Sequence, residues 1–346
     1  MKNYLGLRGI DFTEFASPDP IDLHELFLKL GFSRTMKHKT RDIDLYEQNH
    51  IVFLLNKEKG SFADHFQQNH GPCICSMGWG VENSEQAFGT ALERGAKATT
   101  RGDYRWEGDQ EVFSIQGIGE SNIYLTDSKG DSLYKKLGFV KHHDPINVTS
   151  LGFTYVDHLT NNVYRGTMDE WQNFYKNVFG FEEMRFFDIE GKKTGLQSYA
   201  LMSPCGTFAI PINESKDDKS QIQEYLNDYK GPGVQHLALG TKDILKTVSK
   251  LKDNEIETLD IDDDYYQEVF NRVEGVKEDH QKIQDLQILV DGDEKGYLLQ
   301  IFTKNLIGPI FFEIIQRKGH DSFGEGNFGA LFRAIERDQE RRGVLK

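Results

Sequence analysis

Cysteine is scarce in this 346-residue chain, with only Cys73, Cys75 and Cys205. The number is odd and the first two are spaced CxC, not the CxxC of zinc or redox sites, which argues against a disulfide framework or a zinc finger. Small buried thiols in a reducing compartment are the expectation. Long apolar runs are missing too: none approaches the roughly 18 residues of a membrane span. The opening MKNYLGLRGIDFTEF has neither an uninterrupted apolar core nor a small-residue cleavage site, so no signal peptide is expected and the protein reads as cytoplasmic. Positive charge is in deficit, with 41 Lys and Arg against 55 Asp and Glu and a net charge of −14. No basic stripe is left for a phosphate backbone or an anionic lipid surface, so neither nucleic acid nor membrane is an expected partner.

Aromatic residues, by contrast, are plentiful, with 24 Phe and 14 Tyr. The length suits two domains with sizeable cores. Four segments look alike: GIDFTEFA from Gly9, CICSMGWG from Cys73, YVDHLTNN from Tyr155 and GVQHLALG from Gly233. Each reads as a strand and precedes a helix-like stretch; in the first, Ser17 is a plausible N-cap. The endings LKLGF, KKLGF and NVFGF also rhyme, with Gly suited to a helix C-terminus. Four strand–helix–strands modules paired into two domains follow from this. The polar, Pro-containing KHHDPINVTS at 141–150 reads as the linker between them. SYALMSPCGTFAIPINE and QILVDGDEKGYLLQIF read as hairpins turning over Ser203–Gly206 and Asp291–Gly296.

Aligning the four leading strands places His158 of VDHL and His236 of VQHL at one position, where the first two modules have Phe12 and Ser76. Glu313 lies in PIFFEIIQRK between two Phe and two Ile. A carboxylate in such a strand must neutralise or find a partner. Two histidines and a carboxylate on strands form the facial set that binds non-haem Fe(II) with positions left open. The bland alternative is two satisfied core histidines. His142, His143 and Asp144 could compete as a site but read as a solvated linker. His24, His38, His50, His65, His70, His280 and His320 have polar neighbours and read as solvated.

The final FFEIIQRKGHDSFGEGNFGALFRAIERDQERRGVL, together with PINE at 211–214, SQIQEY at 220–225 and GPGVQHLAL at 231–239, resembles the 4-hydroxyphenylpyruvate dioxygenases. The resemblance implies an α+β vicinal-oxygen-chelate fold of the glyoxalase/bleomycin-resistance type. Four βαβββ modules would pair into two open-barrel domains. Residues 1–143 would carry no metal ligand and serve structure and assembly; residues 151–346 would be catalytic, with a C-terminal helix over the site. It implies one Fe(II) per chain on His158, His236 and Glu313, with O2 as co-substrate and no separate 2-oxoglutarate. The substrate implied is 4-hydroxyphenylpyruvate, converted to homogentisate and CO2 in tyrosine and phenylalanine catabolism; homogentisate oxidises to a brown pigment in many bacteria.

By the same resemblance Phe323 and Phe328 match an aromatic clamp. Phe311 and Phe302 would complete the wall or simply fill the core. Ser198, Asn213, Gln221 and Gln300 match polar positions around the substrate, and Asn327 is a further candidate. Gln235, next to His236, would point to the opposite face of a regular strand. Phe328, Leu331, Phe332 and Ile335 follow helical spacing, which makes Phe332 part of the same wall. The helix would gate the site or cap it permanently. A homo-oligomer, tetramer or dimer, is implied. The rivals are 4-hydroxymandelate synthase, against which Phe328 and Pro211 argue, an extradiol dioxygenase and a non-catalytic binding protein.

Overall fold

The alternating and fully apolar runs form two mixed sheets in the computed structural model, which describes residues 2–190 and 194–344. The first sheet contains β1 (Leu7–Ala16), β2 (Ser33–His38), β3 (Ile43–Gln48), β4 (Ile51–Asn56), β5 (Cys73–Val81), β6 (Ser114–Gln116), β7 (Asn122–Thr126) and β8 (Phe139–Ile146). Their order is β6-β7-β5-β1-β4-β3-β2-β8. The second contains β9 (Phe153–Val163), β10 (Glu182–Glu190), β11 (Gly195–Met202), β12 (Ala209–Ser215), β13 (Gly233–Thr241), β14 (Leu289–Asp293), β15 (Gly296–Phe302) and β16 (Phe311–Lys318). Here the order is β10-β11-β12-β9-β13-β16-β15-β14. The helices are α1 (Pro20–Lys29), α2 (Phe62–His70), α3 (Ser84–Glu93), α4 (Gly130–Lys136), α5 (Met168–Phe179), α6 (Gln221–Tyr229), α7 (Ile244–Asp253), α8 (Asp263–Arg272), α9 (His280–Asp285) and α10 (Phe328–Arg341).

Local chemistry sets the helix ends. Asp19, not Ser17, caps α1: it accepts the Ile21 N–H at 3.2 Å, and Pro20 takes the first helical position, where its missing N–H costs nothing. Ser17 instead accepts the N–H of Asp19. Gly180 ends α5 in the left-handed region (φ 88°), and a Cβ there would lie 1.8 Å from the Lys2 carbonyl oxygen. Both predicted hairpins form, β11–β12 and β14–β15.

The second module departs from the simple repeat. Between α3 and β6 there are isolated bridges in place of a strand, Ala98 with Ile115 and Arg105 with Glu111, and β8 crosses to the opposite edge to pair with β2. Residues 141–146 are therefore strand and not linker, with Pro145 tolerated because β8 is an edge. Alternation turns His142 inward, 6% exposed and 3.4 Å from Asp44, and leaves His143 outside. Other histidines read as solvated are also engaged. His320 is buried against Ser322, His70 stacks on Tyr229, His24 bonds the Tyr46 hydroxyl at 2.6 Å, and His280 stacks on Phe270.

The two sheets share one core. The Trp79 ring lies 4.8 Å from Phe179 and 5.2 Å from Phe208, and Phe53 lies 6.3 Å from Phe312. Cys73 and Cys75 are buried within it as free thiols, while Cys205 is half-buried. Among the described residues no helix is long and apolar enough to cross a membrane.

The centre of each sheet is an antiparallel pair, β1 with β5 and β9 with β13. In the second pair the register slips three times, at Gln235, at Asp157 and at Thr154. At the first two the extra residue of the bulge immediately precedes a histidine.

Candidate metal centre and its cavity

Three adjacent strands bring the predicted ligands together. Ala238 on β13 is in register with His158 on β9 on one side and with Glu313 on β16 on the other. His236 lies two residues back along β13 and so on the same face. The small Ala238 methyl leaves the space between the larger side chains open. His158 Nε2 lies 3.1 Å from Glu313 Oε2, and His236 Nε2 lies 3.4 Å from the same oxygen. All three residues are buried, and their donor atoms fall within 4.8 Å of one another.

The electrostatics answer the question of the isolated carboxylate. Burial alone would push the Glu313 carboxyl up, but the His158 charge and hydrogen bonds from both imidazoles outweigh it and hold Glu313 below its usual range. Burial would lower His158, but Glu313 and Asp157 raise it to about 9. His236 is lowered, chiefly by burial.

The outer nitrogens of the two imidazoles are held by their own chain neighbours. His158 Nδ1 lies 2.8 Å from Asp157 Oδ1, and His236 Nδ1 lies 2.9 Å from Gln235 Oε1. When a metal takes the place of the Nε2 protons, Nδ1–H stays donated outward and each Nε2 lone pair faces the centre, the arrangement that metal-bound histidines adopt. Two imidazole nitrogens and one carboxylate, preorganised and buried, fit a divalent metal of the non-haem iron kind.

Gln235 therefore does not point to the opposite face, as strict alternation requires. The bulge turns it onto the cavity side, where it also accepts from Asn213 Nδ2 at 3.4 Å. The cavity above the triad encloses about 630 Å³ of space, the open solvent at its mouth included. Ser198 and Asn213 reach it because β11 and β12 pair them directly, and Phe187 of β10 stands opposite Ser198 in the same row. Gln221 enters from the first turn of α6. Gln300 lies with its amide nitrogen 3.4 Å from Glu313 Oε1.

The walls are aromatic. Phe311 stacks on the His236 ring at 4.8 Å, and Phe302 meets that ring edge-on at 6.2 Å. Phe323 meets His158 edge-on at 5.2 Å. Phe328, Leu331, Phe332 and Ile335 present one face of α10 to the cavity. Asn327 does not line it: its amide donates to Gln300 Oε1 at 3.4 Å, and its own oxygen accepts from Tyr265 at 2.7 Å. It supports Gln300 from behind. Gly324 permits this approach, since a Cβ there would sit 1.9 Å from the Gln300 amide oxygen.

Sequence reasoning missed Phe187, Ile189, Leu196 and Thr160. The alternation in RFFDIE and GLQSYALM carried the signal for the first three.

A repeated mixed sheet holding a buried His–His–Glu set beneath a small-molecule cavity defines a metal-dependent enzyme of the vicinal-oxygen-chelate class. The comparisons agree and go further. Residues 155–300 match the glyoxalase/bleomycin resistance protein/dioxygenase superfamily, and residues 1–140 match the hydroxyphenylpyruvate dioxygenase N-terminal family. The chain is 54% identical to protein MelA of Shewanella colwelliana, covering 99% of both chains. It is 47% identical to 4-hydroxyphenylpyruvate dioxygenase of Pseudomonas aeruginosa, covering 99% of this chain and 97% of that one. In fold it matches a mutant of 4-hydroxymandelate synthase from Streptomyces coelicolor, with a TM-score of 0.81 at 22% identity over 96% and 99% of the two chains. The chain belongs to the 4-hydroxyphenylpyruvate dioxygenase family.

Proposed function

We propose that this protein converts 4-hydroxyphenylpyruvate and O2 to homogentisate and CO2. The observation that carries the reading is the buried His158–His236–Glu313 set under an aromatic cavity in a chain nearly half identical, end to end, to a dioxygenase of that name. Fe(II), one per chain, supplies the redox chemistry toward O2 and an electrophilic template for the 2-oxo acid of the substrate. Because that keto acid is part of the substrate, no separate 2-oxoglutarate is required.

The chain's own groups do the rest. His158, His236 and Glu313 hold the metal, with Asp157 and Gln235 fixing the two ring orientations. Phe323, Phe328 and Phe187 form a slot of the right chemistry for a flat phenol ring. Ser198, Asn213, Gln221, Gln235 and Gln300 offer hydroxyl and amide partners to the polar ends of the substrate, whose groups need partners once buried. The Phe-lined walls and α10 exclude water from the reacting centre. Pro211 and Phe328 both line the cavity, and at these two positions the chain resembles the ring hydroxylases and not 4-hydroxymandelate synthase, which favours attack on the ring over attack on the benzylic carbon. We place the enzyme in the cytoplasm as a homo-oligomer, dimer or tetramer, assembled through the N-terminal half, and light scattering tests that assembly.

The deciding experiment is oxygen uptake by Fe(II)-loaded protein given 4-hydroxyphenylpyruvate, with the product identified by chromatography. Homogentisate is the expected product. 4-Hydroxymandelate would keep the metal and substrate and overturn the roles given to Pro211 and Phe328. No uptake by protein that holds iron would remove the substrate assignment.

A further inference from the structure

The two histidines are backed differently. Gln235, behind His236, is a neutral amide that also accepts from the cavity amide of Asn213. Asp157, behind His158, is a buried carboxylate, 7% exposed, and it carries a second load. Arg317, at the end of β16, grips it with two parallel bonds: Nε to Oδ2 at 2.7 Å and Nη2 to Oδ1 at 2.7 Å. Such a fork-on-carboxylate pair fixes geometry as well as charge. The remaining nitrogen, Nη1, donates to the carbonyl oxygens of Ser322 at 2.6 Å and His320 at 3.1 Å. Those carbonyls belong to the segment that delivers Phe323, whose ring lies against the His158 imidazole and 5.9 Å from the Arg317 guanidinium.

We infer that Asp157 and Arg317 are positioning residues that couple the metal ligand to the aromatic wall. One carboxylate orients His158 through Nδ1, and through Arg317 the same carboxylate holds residues 320–323, so that Phe323 seats only on a correctly turned imidazole. The inference rests on His158 being a metal ligand. Coupling of this kind is reciprocal: whatever fixes the ring fixes the segment, and loosening the segment loosens the ring. The neutral Gln235 makes no such link, so the two imidazoles are unequal in what they organise.

The test is anaerobic Fe(II) titration of the full-length protein, combined with hydrogen exchange of residues 319–327 with and without the metal. In the wild type, Fe(II) slows exchange in that segment. In Arg317→Met, which leaves the Asp157–His158 bond intact, the segment exchanges at least about tenfold faster, Fe(II) no longer protects it, and affinity falls about 10- to 100-fold, the range for lost outer-shell partners. Arg317→Lys keeps the charge but cannot span the carboxylate and both carbonyls, so it falls between the two. It also serves where the Met variant does not fold. Wild-type affinity together with undiminished Fe(II) protection in Arg317→Met or Arg317→Lys overturns the coupling. If instead the wild type binds no Fe(II), or His158→Ala binds it as tightly as the wild type, the metal-site reading fails and the coupling fails with it. Those results are distinct from one in which only the segment's response is unchanged.

Discussion

In the N-terminal sheet Phe12, Ser76 and Tyr124 stand where the C-terminal sheet has His158, His236 and Glu313. The registers make the correspondence explicit: Gly78 pairs with Phe12 and with Tyr124, as Ala238 pairs with His158 and with Glu313. Even the bulges are kept. Asp11 is the extra residue before Phe12, as Asp157 is before His158, and Cys75 precedes Ser76 as Gln235 precedes His236. What differs is what fills the centre. The Phe12 ring lies over Gly78 so closely that a Cβ there would be 2.2 Å from it, and Tyr104 and Tyr124 pack beside it.

The same aspartate responds to its setting. Asp157 is buried, but its hydrogen bonds and charge pairing with Arg317 and His158 hold it well below the carboxylate range. Burial pushes Asp11, with no imidazole beside it, up to about 6. A scaffold with identical bulges thus makes a metal centre or a packed core according to three side chains and their backing.

This comparison can be broken in several places. The largest contrast is chemical. His158→Ala, His236→Ala or Glu313→Ala should each remove the metal and lower turnover at least about 1000-fold, which iron analysis and oxygen uptake will read. Ser76→Ala, the counterpart of a ligand, should leave both unchanged; a loss of iron there would end the claim that the first sheet carries none of the site. Next is the shared core. Trp79→Ala should cost about 3–5 kcal/mol and shift a single unfolding transition. Two separated melts, with only the first moved, would show that the sheets are stabilised independently.

A subtler contrast lies at the bulges. Gln235→Ala should weaken Fe(II) binding about tenfold by freeing the His236 ring, whereas Cys75→Ala should change stability by about 1 kcal/mol and metal affinity not at all. Equal iron affinities in the two variants would deny Gln235 its orienting role.

The last contrast concerns pH and Glu14, buried with hydrogen bonds from Tyr104 at 2.6 Å and Asn56 at 2.8 Å. Burial, and then the charge of Asp103, raise it from 4.5 to about 7. A carboxyl raised on folding stabilises most below its unfolded value, and that contribution is lost as pH rises through 7. Glu14→Gln should therefore gain about 2 kcal/mol relative to the wild type between pH 5 and pH 8, measured by denaturant unfolding at both. A pH-independent difference would place the proton elsewhere.

The triad was legible because a repeat exposes a position: His158 and His236 coincide only when four strands are superposed, and Glu313 stands out among Phe and Ile. The bulges were not legible. A bulge is a property of the pairing between two strands, and strict alternation sent Gln235 to the wrong face and gave Asp157 no role. The run containing His142 misled for the opposite reason. Its polarity and proline suit a linker, but they equally suit an edge strand, and only the partner strand β2 decides between them. Asn327 read as a cavity group because the motif around it supplies several, whereas its amide is spent on Gln300.

The parallel pairing of β13 with β16 across α7, α8 and α9 has a kinetic consequence. Contacts that close so long a stretch of chain form late, because the loop entropy must be overcome before the strand bonds repay it. His236 and Glu313 meet only when that pairing is complete, and His158 joins them only when β9 has docked on β13. A partly folded chain therefore presents single ligands or a pair of them, and not the full set of three. Tight metal capture becomes a report that the native topology has been reached.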